Sequence, residues 1–179
     1  MIICGIDPDK SGSIAVFYDS DSFPAFYPMP YMGKGKGATP DHVELYNIMA
    51  LDWSECHVFI EKAIGMLTST GTVDRLINYG IIIGVLRAND IRYTEVHPMT
   101  WKSALGLTEK RIKTVRIEGE TDKDYKKRCG RLNREHKKLI KTKAINLAAS
   151  LWPNIPMTES QAEAALIAEY GRRTLAGTK

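Results

Sequence analysis

Apolar residues recur along this chain in two rhythms. Short β-branched runs, Ile2–Ile6 and Ser13–Tyr18, read as strands, and the turn formers Asp7-Pro8-Asp9-Lys10-Ser11-Gly12 between them read as a hairpin. Phe23–Met29 predicts a third strand, at a sheet edge because Pro24 and Pro28 cannot donate to a ladder. Tyr31–Thr39, which holds Gly33, Lys34, Gly35, Lys36 and Gly37, predicts a flexible surface connection.

Helical spacing then takes over. Pro40-Asp41 opens a helix whose apolar face is Val43, Leu45, Tyr46, Ile48 and Met49. His57–Glu61 is a short, buried-looking strand that ends on an acid, and Thr72–Leu86 is a helix in which Gly80 and Gly84 predict close approach of another backbone. Ile91–Val96 predicts a strand and Pro98–Leu105 a short helix around Trp101-Lys102. A long helix runs from Asp122 to Leu151 and is stopped by Trp152-Pro153-Asn154-Ile155-Pro156. The last helix spans Thr158 to Arg173, with Thr158 and Gln161 in a capping-box pattern. Strands first, then alternating helix and strand, then helices give a mixed α/β domain over residues 1–179, a length that buries its own core.

Composition narrows the class. At 44% hydrophobic and 26% charged residues the chain is neither collagen-like, disordered nor a disulfide scaffold. Its longest apolar run, Ile81–Leu86, falls far short of the ~20 residues of a membrane span. Three cysteines without a CxxC pair suit a reducing compartment and argue against a zinc ribbon. The N-terminus reads as a strand rather than a signal or transit peptide, so the expected location is the cytoplasm.

Net charge is a mild +4, but residues 110–143 hold 14 Lys or Arg against 5 Asp or Glu, a surplus of +9 that leaves the remainder at −5. A basic third on an acidic remainder points to a polyanion held near acidic groups, with a solvated charged helix as the alternative.

Candidate chemistry lies in carboxylates. Asp7 closes the first strand and Glu61 the strand Val58-Phe59-Ile60, positions where an acid is costly to bury without a compensating cation. Glu159 and Glu163, four apart, differ by ~40° around a helix axis and share a face. The helix dipole accounts well for Glu159 and less well for Glu163, set among Ala162, Ala164 and Ala165. Four such acids form a hard-oxygen donor set that suits Mg²⁺ or Mn²⁺, and two ions can drive phosphodiester hydrolysis. His42, His57, His97 and His136 share no metal-ligand spacing, and there is no phosphate-binding GxGxxG or Walker loop.

Four segments, in order, resemble the RuvC-type Holliday-junction resolvases, especially their phage and chloroplast branch. They are Gly5-Ile6-Asp7-Pro8-Asp9-Lys10-Ser11-Gly12; Ile60-Glu61-Lys62-Ala63 with Met66, Gly71 and Asn78-Tyr79-Gly80; Val96-His97-Pro98-Met99-Thr100-Trp101-Lys102; and the run from Glu159 to Gly171. The resemblance implies an RNase H-like fold, a mixed five-stranded sheet flanked by helices, acting as a homodimer in a bacterial cell or phage-infected host. It also implies paired, Mg²⁺-dependent nicking of a four-way DNA junction, with Asp7, Glu61, Glu159 and Glu163 as catalytic acids around two ions.

Lys102 is implied as a charge near the scissile phosphate. Relatives often carry Asp or His where Glu159 stands, and the basic segment matches the family poorly. DNA contacts by Arg131, Arg134, Lys137 and Lys138 therefore rest on charge. The competing reading is a less selective RNase H-like nuclease acting on branched, hybrid or single-stranded nucleic acid. A nucleotide-binding module of the actin and sugar-kinase type needs two such domains, more chain than 179 residues supply.

Overall fold

Strands β1 (Ile2–Ile6) and β2 (Ser13–Phe17) pair antiparallel about the predicted hairpin, with Cys4 opposite Val16 and Ile6 opposite Ile14. The computed structural model that shows this describes residues 1–18, 23–49, 55–64, 70–110 and 114–177. Met66, Arg111 and Lys113 lie outside the described residues. Strand β3 (Ala25–Pro28) adds to β2 at the edge, and its last residue, Pro28, faces Ser13.

The segment read as a flexible connection is instead partly ordered. Tyr31–Met32 (β4) and Thr39–Pro40 (β5) form a two-stranded ribbon around a 3-10 turn at Gly35–Gly37. Positive φ at Gly33 (81°) and Gly35 (67°) turns the chain where other residues are strained.

After α1 (His42–Met49), β6 (Cys56–Glu61) lies parallel to β1, and α2 (Thr70–Ala88) crosses over to β7 (Arg92–Val96), parallel to β6. The sheet order is therefore β3-β2-β1-β6-β7, mixed and five-stranded as expected. Three helices follow: α3 (Pro98–Ala104), α4 (Asp122–Leu151) and α5 (Glu159–Leu175). The cap predicted for α5 is present: the Thr158 hydroxyl accepts from the Gln161 amide, and the Gln161 side chain accepts from the Thr158 amide at 2.8 Å.

Strand alternation sorts side chains into two cores. Cys4, Ile6, Ile14, Val16, Val58 and Ile60 face α1 and α2, where they meet Leu45, Met49, Ile82 and Leu86. Ile3, Ala15, Phe17 and Phe59 face α5 and the C-terminal part of α4, meeting Leu166, Ile167, Ala144 and Ala148.

Close backbone approach occurs at glycines other than those predicted. A Cβ on Gly80 or Gly84 would meet nothing within 4 Å, because both lie on the exposed side of α2. A Cβ on Gly5 would stand 2.0 Å from the Ala164 carbonyl oxygen, and one on Gly171 would stand 2.2 Å from the Phe59 ring. Gly5 lets α5 lie directly on β1. No described helix is long and apolar enough to cross a membrane.

Candidate active site

Two strand ends and one helix build a cleft. The parallel register pairs Ile6 with Ile60, so the next residues, Asp7 and Glu61, emerge side by side. Each continues the parity of the residues that face α5, Ile3 and Gly5 on β1 and Phe59 on β6, so both carboxyls turn to the same side. Each is only 8% exposed. Because α5 touches β1 at Gly5, Glu163 arrives beside these two acids, and the Ser13 hydroxyl bonds Ser160 Oγ at 3.0 Å to tie the hairpin to the first turn of α5.

Two neighbours on α3 grip Glu61. The indole Nε1 of Trp101, fully buried, donates to Glu61 Oε2 at 2.8 Å. Lys102 Nζ lies 3.8 Å from the same oxygen and 3.3 Å from Glu163 Oε1. His97 fixes the start of α3, its Nδ1 accepting from the Met99 amide at 3.2 Å with Pro98 as the first helical residue. His97 is thus structural, as is His57, whose ring stacks on Phe59 and whose Nε2 bonds Thr94 Oγ1.

The helical pair separates in role. Glu163 faces Lys102, whereas the more exposed Glu159 pairs with Lys141 of α4. On the opposite wall Arg75 Nε approaches Asp9 Oδ1 to 2.7 Å, and the Asp9 amide donates to Asp7 Oδ1 at 3.3 Å. Asp7, Glu61, Glu159 and Glu163 together line one cleft of about 550 Å³, with Lys102, Lys137 and Lys141 among its other walls. Lys138, Arg131 and Arg134 lie farther out on the exposed surface of α4, where Arg131 Nε is 3.8 Å from Glu135 Oε1.

Burial and crowding set the protonation of the acids. The Asp7 carboxyl is pushed up to about 7, first by burial and then by the charges of Glu163, Asp9 and Glu61. Burial also raises Glu61, opposed by the Lys102 ammonium and the Trp101 hydrogen bond. The Lys141 ammonium is raised by its bond to Glu159.

Among the described residues no three His, Cys, Asp or Glu side chains stand ready to close around a metal ion; ammonium groups sit against the carboxylates instead. The donor chemistry nevertheless fits a hard divalent cation. Several carboxylates converge, their oxygens suit such an ion, and burial together with their mutual repulsion lifts Asp7 to the point where added positive charge is favourable.

Trp101, Lys141 and the Asp9–Arg75 pair were not singled out from sequence. Trp101 was visible as the neighbour of Lys102, and Lys141 lay inside the basic run, but neither signal names a carboxylate partner.

The whole chain superimposes on known architecture. Thermus thermophilus RuvC in complex with a Holliday junction substrate matches with a TM-score of 0.60 at 11% identity, over 99% of this chain and 98% of that one. The chain has the RuvC fold. A second Thermus thermophilus RuvC structure matches at 0.52 and 12% identity, again over 99% and 98% of the two chains. No protein-family model matches the sequence, and no curated protein matches it. The likeness to RuvC is therefore one of architecture: a mixed five-stranded sheet with flanking helices over nearly the full length of both chains.

Proposed function

We propose that this chain is a RuvC-type endonuclease that resolves four-way DNA junctions by divalent-metal-dependent hydrolysis of opposed phosphodiesters. The observation that carries the reading is the meeting of Asp7, Glu61 and Glu163, remote in sequence, in one cleft at the paired ends of β1 and β6. Its substrate class follows from the fold shared with a RuvC bound to a Holliday junction and from the basic helix beside the cleft.

Asp7, Glu61 and Glu163, with Glu159 at the rim, would hold Mg²⁺ or Mn²⁺, two ions being the expected number. When bound, such ions supply a water activated at neutral pH and a counter-charge for the leaving oxygen. The chain's own residues do the rest. Asp7, deprotonated, would serve as a ligand, Trp101 holds Glu61 in place, and Lys102, which now faces Glu61 and Glu163, would offer its ammonium to a phosphate. Lys137 and Lys141 offset phosphate charge at the cleft wall, and Lys138, Arg131 and Arg134 extend that surface along α4.

Nicking opposed strands takes two such sites, so the active species is a homodimer. The outward surface of α1 and α2, where Val43, Tyr46, Val73 and Ile77 are exposed, is the apolar face available for it.

Paired nicks in a synthetic four-way junction, dependent on Mg²⁺ and lost in Asp7→Asn with junction binding retained, are expected. Wild-type cleavage by Asp7→Asn would overturn the site assignment. Equal cutting of flaps, RNA–DNA hybrids and linear strands would replace the resolvase with a less selective nuclease.

A further inference from the structure

Resting on that reading, we infer that the N-terminal two-thirds of α4 is a straight phosphate track that holds one duplex arm leading away from the cleft. At ~100° per residue, Lys123, Lys127, Arg131, Arg134, Lys138 and Lys141 fall within ~80° of one another around the helix axis. All six are exposed. The stripe continues, along the axis, the face that Ala148 and Ile145 turn into the core.

The support under that face stops at α5. Its first residue, Glu159, bonds Lys141, and toward the N-terminus of α4 the same face carries cations and Gly130, with no acid. Lys137, Ile140 and Lys141 line the acidic cleft, so the stripe begins at the site and leads outward. It spans ~27 Å, about 8 base pairs of B-form duplex.

The rest of the helix is built to hold the stripe outward. Residues 114–121 cover the opposite side: Arg128 bonds Glu120 through Nε at 2.8 Å and Nη2 at 2.7 Å, its Nη2 also bonds the Val115 carbonyl, and Tyr125 Oη donates to the Thr114 carbonyl. Among the described residues Lys123, Lys127, Arg134 and Lys138 have no carboxylate at ion-pair distance, so their charge is free for a ligand. The occupant is double-stranded. Single strands are held by stacking on aromatic rings, and the stripe has none: Tyr125 lies on the covered side, under Arg116 and Arg128. A rigid line of cations matches an arm that is itself stiff over this length.

The experiment compares the full-length protein with its Lys123→Glu/Lys127→Glu variant, whose acids near a helix N-terminus favour the helix. Binding is measured in EDTA, across a salt series, to four-way junctions with arms of about 6 or about 16 base pairs. Far-UV circular dichroism verifies that the variant keeps its helix. The variant is expected to lose at least about tenfold on long arms, with a salt slope shallower by about two, and to match wild type on short arms. An equal loss on both arm lengths, or no loss on long arms, would overturn the track. So would tighter binding of a single strand that shows the same loss.

If wild type fails to prefer junctions over linear duplex, the resolvase reading fails. The track is then judged separately, by the same comparison on linear duplexes of about 6 and about 16 base pairs.

Discussion

Gly5 of β1 lies directly beneath Ala164 of α5, so close that a Cβ on Gly5 would stand 2.0 Å from the Ala164 carbonyl oxygen. That contact sets the height of α5 above the sheet, and with it the distance from Glu163 to the strand-end acids. Site and core are therefore joined at a single missing side chain.

Gly5→Ala is expected to lower stability by at least roughly 1–3 kcal/mol, since α5 must lift off the sheet. Gly80→Ala, at an exposed helical position with nothing within 4 Å, is expected to raise it by up to about 1 kcal/mol. Thermal melts of the two variants beside wild type test the contrast, and similar shifts in both would remove Gly5 from its role.

Asp7→Asn is expected to stabilise the metal-free protein while abolishing nicking. The folded carboxyl titrates near 7 against an ordinary value of 3.8. Below about pH 4 the folded and unfolded chains both hold the proton, so no penalty exists there. As pH rises through 4 to 7 the unfolded chain releases it first, and wild-type stability declines; above about 7 the deficit is constant, on the order of 4 kcal/mol. The melting-temperature gap between variant and wild type, followed from pH 4 to 8 in EDTA, is expected to widen and then level. Mg²⁺ is expected to narrow it.

Lys102→Met removes the ammonium standing between Glu61 and Glu163. Two largely buried carboxylates then lose their shared ammonium, at a cost of about 3–5 kcal/mol and with Glu61 pushed still further up. Because a divalent cation supplies the missing charge, Mg²⁺ is expected to raise the melting temperature of this variant more than that of wild type. Equal Mg²⁺ shifts would show that the lysine and the cation do not share a place.

Trp101→Phe keeps most of the buried ring but deletes the indole donor to Glu61. Loss of a hydrogen bond to a carboxylate costs about 1.5–3 kcal/mol. With Glu61 no longer oriented, the affinity for Mg²⁺ is expected to fall: half-maximal nicking moves to higher Mg²⁺, with junction binding in EDTA unchanged. A drop in rate at all Mg²⁺ concentrations alike would assign Trp101 to packing alone.

Much of this was legible in the sequence because local chemistry fixed it. The proline-bearing stop after Leu151 and the capping box at Thr158 and Gln161 placed the end of α4 and the start of α5. The apolar runs that stop at Ile6 and Ile60 foretold that Asp7 and Glu61 would stand at strand ends.

Long-range partners were not legible. No periodicity tells that Trp101 reaches across 40 residues to Glu61 or that Lys141 meets Glu159. The glycines of α2 misled for the same reason: a small side chain permits close approach, but only the tertiary fold decides which glycine is approached. In the Tyr31–Thr39 segment, turn-forming residues hid a ribbon held by just two pairs of facing residues.

The position of Asp7 and Glu61 at the ends of their paired strands also makes the proposed site fragile in a particular way. A one-residue insertion in β1 would leave the sheet free to re-pair while sending the first acid toward Leu45 and Ile82, among hydrocarbon. Such a lineage would keep its shape and lose its acidic cleft in a single event.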